Sequence, residues 1–339
     1  MKKLILTATA LVFTLAVGLG CTMGLANAKA IELTYAHFAP TKTFVHVQME
    51  RWVKEVEKRT NGKVKFKTYP GGSLLNAKNM FDGVIAGQAD IGTTSMAYQP
   101  GRFVVTNATA LPIGIPNGVV GSKVLLDLYK MYKPKAFAKV KVLTLYTNSP
   151  SNIMSRVPLE NLASLKGVNI RASGGAAQIL KAWGANQVGM PMPQTPEALQ
   201  KGVVKGLFSS LEVMMDFKFA DYCKFVTITD TGIYPFSVFM NQAKWNSLPA
   251  DVKKVMDDLF WEHGAWVGRY SDDHADESLA WSVKTKGVKV FKLSAAEKAK
   301  FDAPLVPIVD QWVKKMGANG VPAAKIVADV KALIKKHSK

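Results

Sequence analysis

Arg171 is the residue with the most specific chemistry to offer, at the centre of Leu165-Lys-Gly-Val-Asn-Ile-Arg-Ala-Ser-Gly-Gly175. The run from Gly167 to Ile170 alternates small or polar with branched residues after a turn-forming Lys-Gly, which predicts a short strand with Arg171 at its exit. Ser173 then stands as a helix cap before an apolar-periodic segment, residues 176–183. A guanidinium between a strand end and a helix start offers a planar fork of donors and a charge that does not titrate, which suits a carboxylate. From these residues alone the arginine also reads as a solvated or ion-paired side chain, the commoner fate of a lone arginine.

Other reactive constellations are missing. The chain has no Gly-x-Gly-x-x-Gly, Walker loop, His-Glu-x-x-His, cysteine pair for metal or Gly-x-Ser-x-Gly, so nucleotide, zinc-hydrolase and serine-hydrolase chemistry lack their usual frames. His263 and His274 fall on one face of an expected long helix, but about 16 Å apart along its axis, too far to share a metal. They read as single surface or packing histidines, and Trp261, Trp266 and Trp281 as core packing. No catalytic residue, metal or cofactor is expected, and the chain reads as a non-enzyme.

The ends and the charge set the context. Lys2 and Lys3, the apolar run 4–19 and Ala26-Asn27-Ala28 form the three parts of a secretory signal peptide, residues 1–28, which places the mature protein in the periplasm. A lipid anchor at Cys21 is the weaker reading, because Gly18 stands where a bulky aliphatic is wanted. Cleavage leaves Cys223 alone, so no intramolecular disulfide can form. The net charge of +19 would suit nucleic acid. Its lysines are spread as singletons and pairs such as Lys253-Lys254 and Lys335-Lys336, and an exported protein seldom meets nucleic acid. We therefore expect a diffuse positive field and no nucleic-acid partner.

The elements that position Arg171 follow parallel α/β grammar. Strands are expected at 31–36, 64–68 and 90–95 with helices at 44–59 and 77–86 between them, and ligands collect at the carboxyl ends of such strands. Those ends hold His37-Phe38, Pro70-Gly71-Gly72 and Ser95-Met96-Ala97-Tyr98. Residues 147–152 read as a crossover into a second lobe and Pro235 as the return. Further helices are expected at 119–132, 210–219 and 295–312. A helix capped by Ser247 runs from about 250 toward Trp281 with Gly264 and Gly268 as its interruptions, long enough to span both lobes. The chain divides into lobe I, about 31–147 plus 235–274, lobe II, about 148–234 plus 275–322, and a C-terminal helix, 323–339.

In order along the chain come Thr60-Asn-Gly-Lys-Val64, Tyr69-Pro-Gly-Gly-Ser-Leu74, Gly87-Gln-Ala-Asp90, Leu165-Lys-Gly-Val-Asn-Ile-Arg171, Ala198-Leu-Gln-Lys-Gly-Val-Val-Lys-Gly206 and Trp245-Asn-Ser-Leu-Pro-Ala-Asp-Val252. Together they cover nearly the whole mature chain, and the sequence resembles the DctP-type solute-binding proteins of tripartite ATP-independent periplasmic (TRAP) transporters. The resemblance implies a two-lobed periplasmic binding protein fold of α/β class, with crossover strands and a long helix spanning both lobes. It implies hinge closure over an organic acid, delivery to small and large membrane subunits, and Arg171 as the carboxylate-binding arginine. A ligand-sensing receptor for a signalling partner is the alternative role.

The sequence departs from the family pattern in three respects. Pro150-Ser151-Asn152 lacks the second arginine of sialate-type members. Lys205-Gly-Leu-Phe-Ser209 replaces the frequent Asp-Gly-x-Glu-Asn, which puts Ser209 and Phe208 at the ligand. Ser95 and Tyr98 stand where some members are charged, and Met192 where an aromatic often packs. With Phe38 and Phe236, these residues suggest one charge among apolar walls, which suits a monocarboxylate with a hydrophobic or aromatic body. Arg156 reads as a structural salt-bridge residue near the crossover.

Overall fold

The computed structural model describes residues 29–339; the expected signal peptide and Cys21 lie outside them. Among the described residues eleven strands form two sheets. β1 (Ile31–His37), β2 (Val64–Tyr69), β3 (Ile91–Ser95), β4 (Val140–Thr147), β5 (Asn152–Ser155), β6 (Asn169–Ala172), β7 (Asn186–Gly189), β8 (Gly206–Ser209), β9 (Phe225–Ile228), β10 (Pro235–Asn241) and β11 (Lys289–Lys292) follow in chain order. The first sheet has the order β2-β1-β3-β10-β4 and the second β11-β9-β5-β8-β6-β7. β1 pairs in parallel with β2 and β3, joined through helices, while β10 inserts antiparallel between β3 and β4.

Helix Phe44–Arg59 forms because its apolar positions share one stripe: Val45, Met49, Trp52, Val53 and Val56 are buried against the first sheet. Its C-terminus carries Lys58 and Arg59, favourable at the negative end of the helix dipole. Other expected helices are shorter. Asn76 accepts from the N–H groups of Lys78 and Asn79, and this local turn delays the helix to Met80–Ile85. Residues 210–219 yield only Val213–Asp216, closed by Lys218 at φ +57°. Pro304 splits the expected 295–312 helix into Ala295–Asp302 and Val306–Ala318, joined by a 3-10 turn.

The sheets are joined by two crossovers, 148–151 and 229–234, and by helix Ala250–Lys286 of 37 residues. The crossovers hydrogen-bond to each other: Ser151 N–H donates to Gly232 O and Thr231 N–H to Ser151 O. Pro249, not Ser247, precedes the long helix; the Ser247 hydroxyl donates back to Lys244 O. Gly264 and Gly268 are points of close approach, since a Cβ on either would stand 2.5 Å from a carbonyl, Leu145 O or Gly118 O. Along the same helix His263, Trp266, Tyr270 and His274 stack in sequence. Arg51 covers the Trp266 ring at 4.5 Å and bonds His263 Nδ1 at 2.8 Å. The C-terminal helix Ala323–His337 lies against helix Gly118–Tyr132, tied by Tyr132 to Asp329 and by His337 to Asp127.

Candidate functional site

Strand ends from both sheets meet at one partly open cavity, a space of about 390 Å3 when the solvent at its mouth is counted. The first sheet contributes Phe38 just beyond β1, Ser95 at the end of β3, Tyr98 in the turn that follows, and Phe236 on β10, in register with Ser95. The second contributes Arg171 from β6, Met192 after β7 and Ser209 at the end of β8. Seven of the eight expected ligand residues thus line one space. Phe208 does not: strand alternation sends it to the face opposite Ser209, where it is fully buried with its ring 5.3 Å from Trp183.

Arg171 lies inside its strand, not at the exit, paired in register with Leu207 of β8 and Val188 of β7. It is 1 % exposed. Nε and Nη2 both donate to Met190 O, at 3.0 and 2.8 Å, and Nη2 reaches Ser173 Oγ at 3.4 Å. Ser173 is therefore held by the arginine and is not the cap of helix Ala176–Ala182, which starts without a side-chain cap. Nη1 enters none of these bonds, and among the described residues Arg171 takes part in no salt bridge. A buried guanidinium whose protein partners are all neutral is an incomplete arrangement, because burying a charge is costly unless an opposite charge comes with it. Burial raises the phenols of Tyr98 and Tyr234, and the Arg171 charge beside them pulls both back.

The walls are aromatic. Phe38 and Tyr98 meet edge to face at 5.3 Å, Phe44 and Phe236 at 5.4 Å, and Phe236 stacks on Tyr146 at 5.2 Å. Among the described residues that line the cavity, Arg171 is the one cation and Glu212 the one acid. The lobes touch around it. Met192 N–H donates to Tyr98 Oη at 3.1 Å, Phe44 N–H to Asp216 Oδ2 at 2.8 Å, and Gly174 packs on Ala97 so closely that a Cβ would come within 2.8 Å. The Gly71-Gly72 turn is elsewhere, on a second cleft with Asn76, Lys78 and Gln194 that shares Phe38.

Sequence reasoning missed Asn148, Glu212 and Tyr234 on the cavity wall. Asn148 and Tyr234 are end residues of the two crossovers, so their positions were signalled, though their pairing was not: Tyr234 N–H donates to Asn148 Oδ1 at 2.7 Å. Arg156 is exposed, and its guanidinium holds Leu199 O at 2.6 Å in place of a carboxylate. His263 and His274 are both buried, not at the surface. His263, neutral with burial pushing it down to about 3, contacts Gln48 and Arg51. His274 bonds Asp216 at 2.8 Å, which raises it to about 9.

Residues 35–315 match the family model described as bacterial extracellular solute-binding protein, family 7. A TRAP periplasmic solute-binding protein from Desulfovibrio salexigens, solved as an open complex with the C-terminus of a symmetry mate in its ligand-binding site, is 50% identical. It superposes with a TM-score of 0.80 over 90% of this chain and 96% of its own. A TRAP solute-binding protein from Rhodoferax ferrireducens in complex with copurified benzoate is 25% identical, with a TM-score of 0.88 over 91% of this chain and 99% of its own. The C4-dicarboxylate-binding periplasmic protein DctP of Rhodobacter capsulatus is 25% identical over 307 residues, 88% of this chain and 92% of that protein.

Proposed function

The chain belongs to the bacterial extracellular solute-binding proteins of family 7, the TRAP type, and we propose that it is the periplasmic receptor that captures an organic monocarboxylate with an apolar or aromatic body. The ligand carboxylate pairs with Arg171, the lobes close over it, and the complex delivers it unchanged to the membrane subunits of the transporter. Phe38, Tyr98, Met192 and Phe236 form the apolar walls, and Ser95 and Ser209 the small polar contacts.

One observation carries the reading: Arg171 is buried on the cavity wall with hydrogen bonds to neutral oxygens alone. A carboxylate completes that arrangement, and a bidentate guanidinium contact is among the stronger ones available. The relatives bind different acids, a C4-dicarboxylate in one and benzoate in another, so the walls decide the class. A second carboxylate would be buried among aromatic side chains with no second cation on the wall, and desolvating an unpaired charge is prohibitive.

The test is thermal melting of protein unfolded and refolded to strip carried-over ligand, against a panel of mono- and dicarboxylates. The expected result is stabilisation by benzoate-like acids that Arg171→Ala abolishes, at a cost of about 2–5 kcal/mol in binding. Stabilisation by dicarboxylates or sugar acids alone would overturn the monocarboxylate reading.

A further inference from the structure

Glu212 lies just beyond β8, fully buried, on the wall of the cavity that holds Arg171. A relay of hydrogen bonds fixes its orientation. Tyr234 N–H donates to Asn148 Oδ1, which places the Asn148 amide nitrogen on the far side, where it donates to Ser210 Oγ at 2.6 Å. With that lone pair taken, the Ser210 hydroxyl turns its own hydrogen to Glu212 Oε1. Each direction follows from the main-chain donor at the start, so the chain of bonds ends at Glu212 with one oxygen used. The other, Oε2, is buried without a partner. Buried polar atoms in folded proteins are overwhelmingly paired, and an exception in a residue of a cavity wall calls for a partner that the protein does not supply.

Burial pushes the Glu212 carboxyl up to about 8, with Asp216 one helical turn away adding to the rise and Ser210 and His274 opposing it. Tyr270, on the long helix, also lies in its field, and Arg171, Tyr98 and Tyr234 share its cavity wall. Near neutrality Oε2 therefore carries a hydrogen that has no acceptor in the protein. A ligand oxygen is the complement to it.

We propose that Glu212 is a second ligand contact, in which Oε2 hydrogen-bonds a hydroxyl or carbonyl oxygen on the body of the acid, so that the site selects hydroxy- or oxo-monocarboxylates over the same acids without that oxygen. This rests on the carboxylate reading of Arg171 and narrows it. Arg171 supplies the charge that all candidate ligands share, and Glu212 supplies discrimination among them. An analogue lacking the oxygen leaves Oε2 unsatisfied in a dry wall, which is how sites built for a hydrogen bond reject the deoxy compound.

The experiment is calorimetric titration of the refolded protein with matched acids: benzoate against 3-hydroxybenzoate, and phenylacetate against mandelate and phenylglyoxylate. At least one oxygenated acid is expected to bind about ten-fold or more tightly than its parent. Glu212→Leu should bring that ratio near one, because it removes the polar atom. Glu212→Gln should keep the ratio, because the amide retains an acceptor for Ser210 and a donor for the ligand. Equal binding of parents and oxygenated acids by the wild-type protein overturns the proposal, as does a preference that survives Glu212→Leu. If the leucine variant does not fold, the wild-type ratio and its retention in Glu212→Gln decide. Binding of neither parents nor oxygenated acids overturns the monocarboxylate reading and this proposal with it, whereas equal binding overturns this proposal alone.

Discussion

Asp216, in the lobe of the second sheet, accepts the main-chain N–H of Phe44, the first residue of a helix in the lobe of the first, at 2.8 Å. The same carboxylate holds His274 of the long helix through its other oxygen. A negative charge at the positive end of a helix is favourable, and here the two partners sit on opposite sides of the cleft. The contact therefore exists in full only when the lobes are together. Asp216→Asn keeps an acceptor but removes the charge and weakens the hold on His274. Ligand affinity should fall by about 5–30-fold, the equivalent of roughly 1–2 kcal/mol. Titration calorimetry measures the loss, and solution scattering should show less compaction at equal ligand; undiminished affinity would mean that the contact does not favour closure.

Arg171→Lys tests geometry apart from charge. A lysine keeps a cation but cannot span Met190 O, Ser173 Oγ and a ligand carboxylate at once with a planar fork. Affinity for the carboxylate should drop by more than about ten-fold, on the order of the 1.5–3 kcal/mol of one charged hydrogen bond. An affinity close to wild type would show that charge alone suffices.

Stability of the unliganded protein should peak near pH 6.5. His37 and His263 are buried and neutral, pushed down to about 3, so their contribution is present above their unfolded value of about 6.5 and is lost as pH falls toward 3. His274 is raised to about 9, so its contribution is full below about 6.5 and is lost as pH rises toward 9. Glu212, raised to about 8, acts in the same sense: its contribution declines from about pH 4.5 to 8. Between about 4.5 and 6.5 the two histidines outweigh the one acid, and above 6.5 His274 and Glu212 pull together. Buried Asp216 and Asp272, raised by desolvation, oppose the histidines as pH rises from about 3.8. Melting scans from pH 4 to 9.5 check the shape, and Glu212→Gln should flatten the fall between 6.5 and 8. A melting temperature that climbs through pH 8 would contradict the assignment.

Gly268→Ala should weaken the frame that carries both lobes. The new methyl would stand 2.5 Å from Gly118 O and 2.7 Å from Ser122 Oγ, and a backbone carbonyl cannot swing aside as a side chain can. A loss of about 1–3 kcal/mol is expected, read as a lower urea midpoint with unchanged slope. Gly317→Ala, with open space around its Cβ, is the matched control and should be neutral or slightly stabilising.

Residues that obey a simple period are legible in the sequence. The stripe Val45, Met49, Trp52, Val53, Val56 gave helix Phe44–Arg59 to the residue, and Pro235 correctly marked the return strand. Arg171 was legible through its motif, though its lack of a charged partner is a tertiary fact. Phe208 was misplaced because a one-residue step along a strand reverses the face. Glu212 was hidden inside residues 210–219, expected as one helix. Their apolar positions instead serve a loop and a four-residue helix, where Ser210 folds back on Glu212. Ser247 and Ser173 show the same limit: both suit a cap by type, and both spend their hydroxyls elsewhere.

The strand order has a consequence for how the chain comes to be folded at all. β10 occupies an interior place in the first sheet, and β11 closes an edge of the second, yet both are reached only after the chain has built and left the other lobe. An N-terminal portion ending before residue 235 holds β3 and β4 with nothing to join them, so its sheet stays split and its edges stay open. Neither lobe can finish early while synthesis proceeds from the amino end. Completion of the first sheet is therefore a late event, set by the arrival of β10 between β3 and β4.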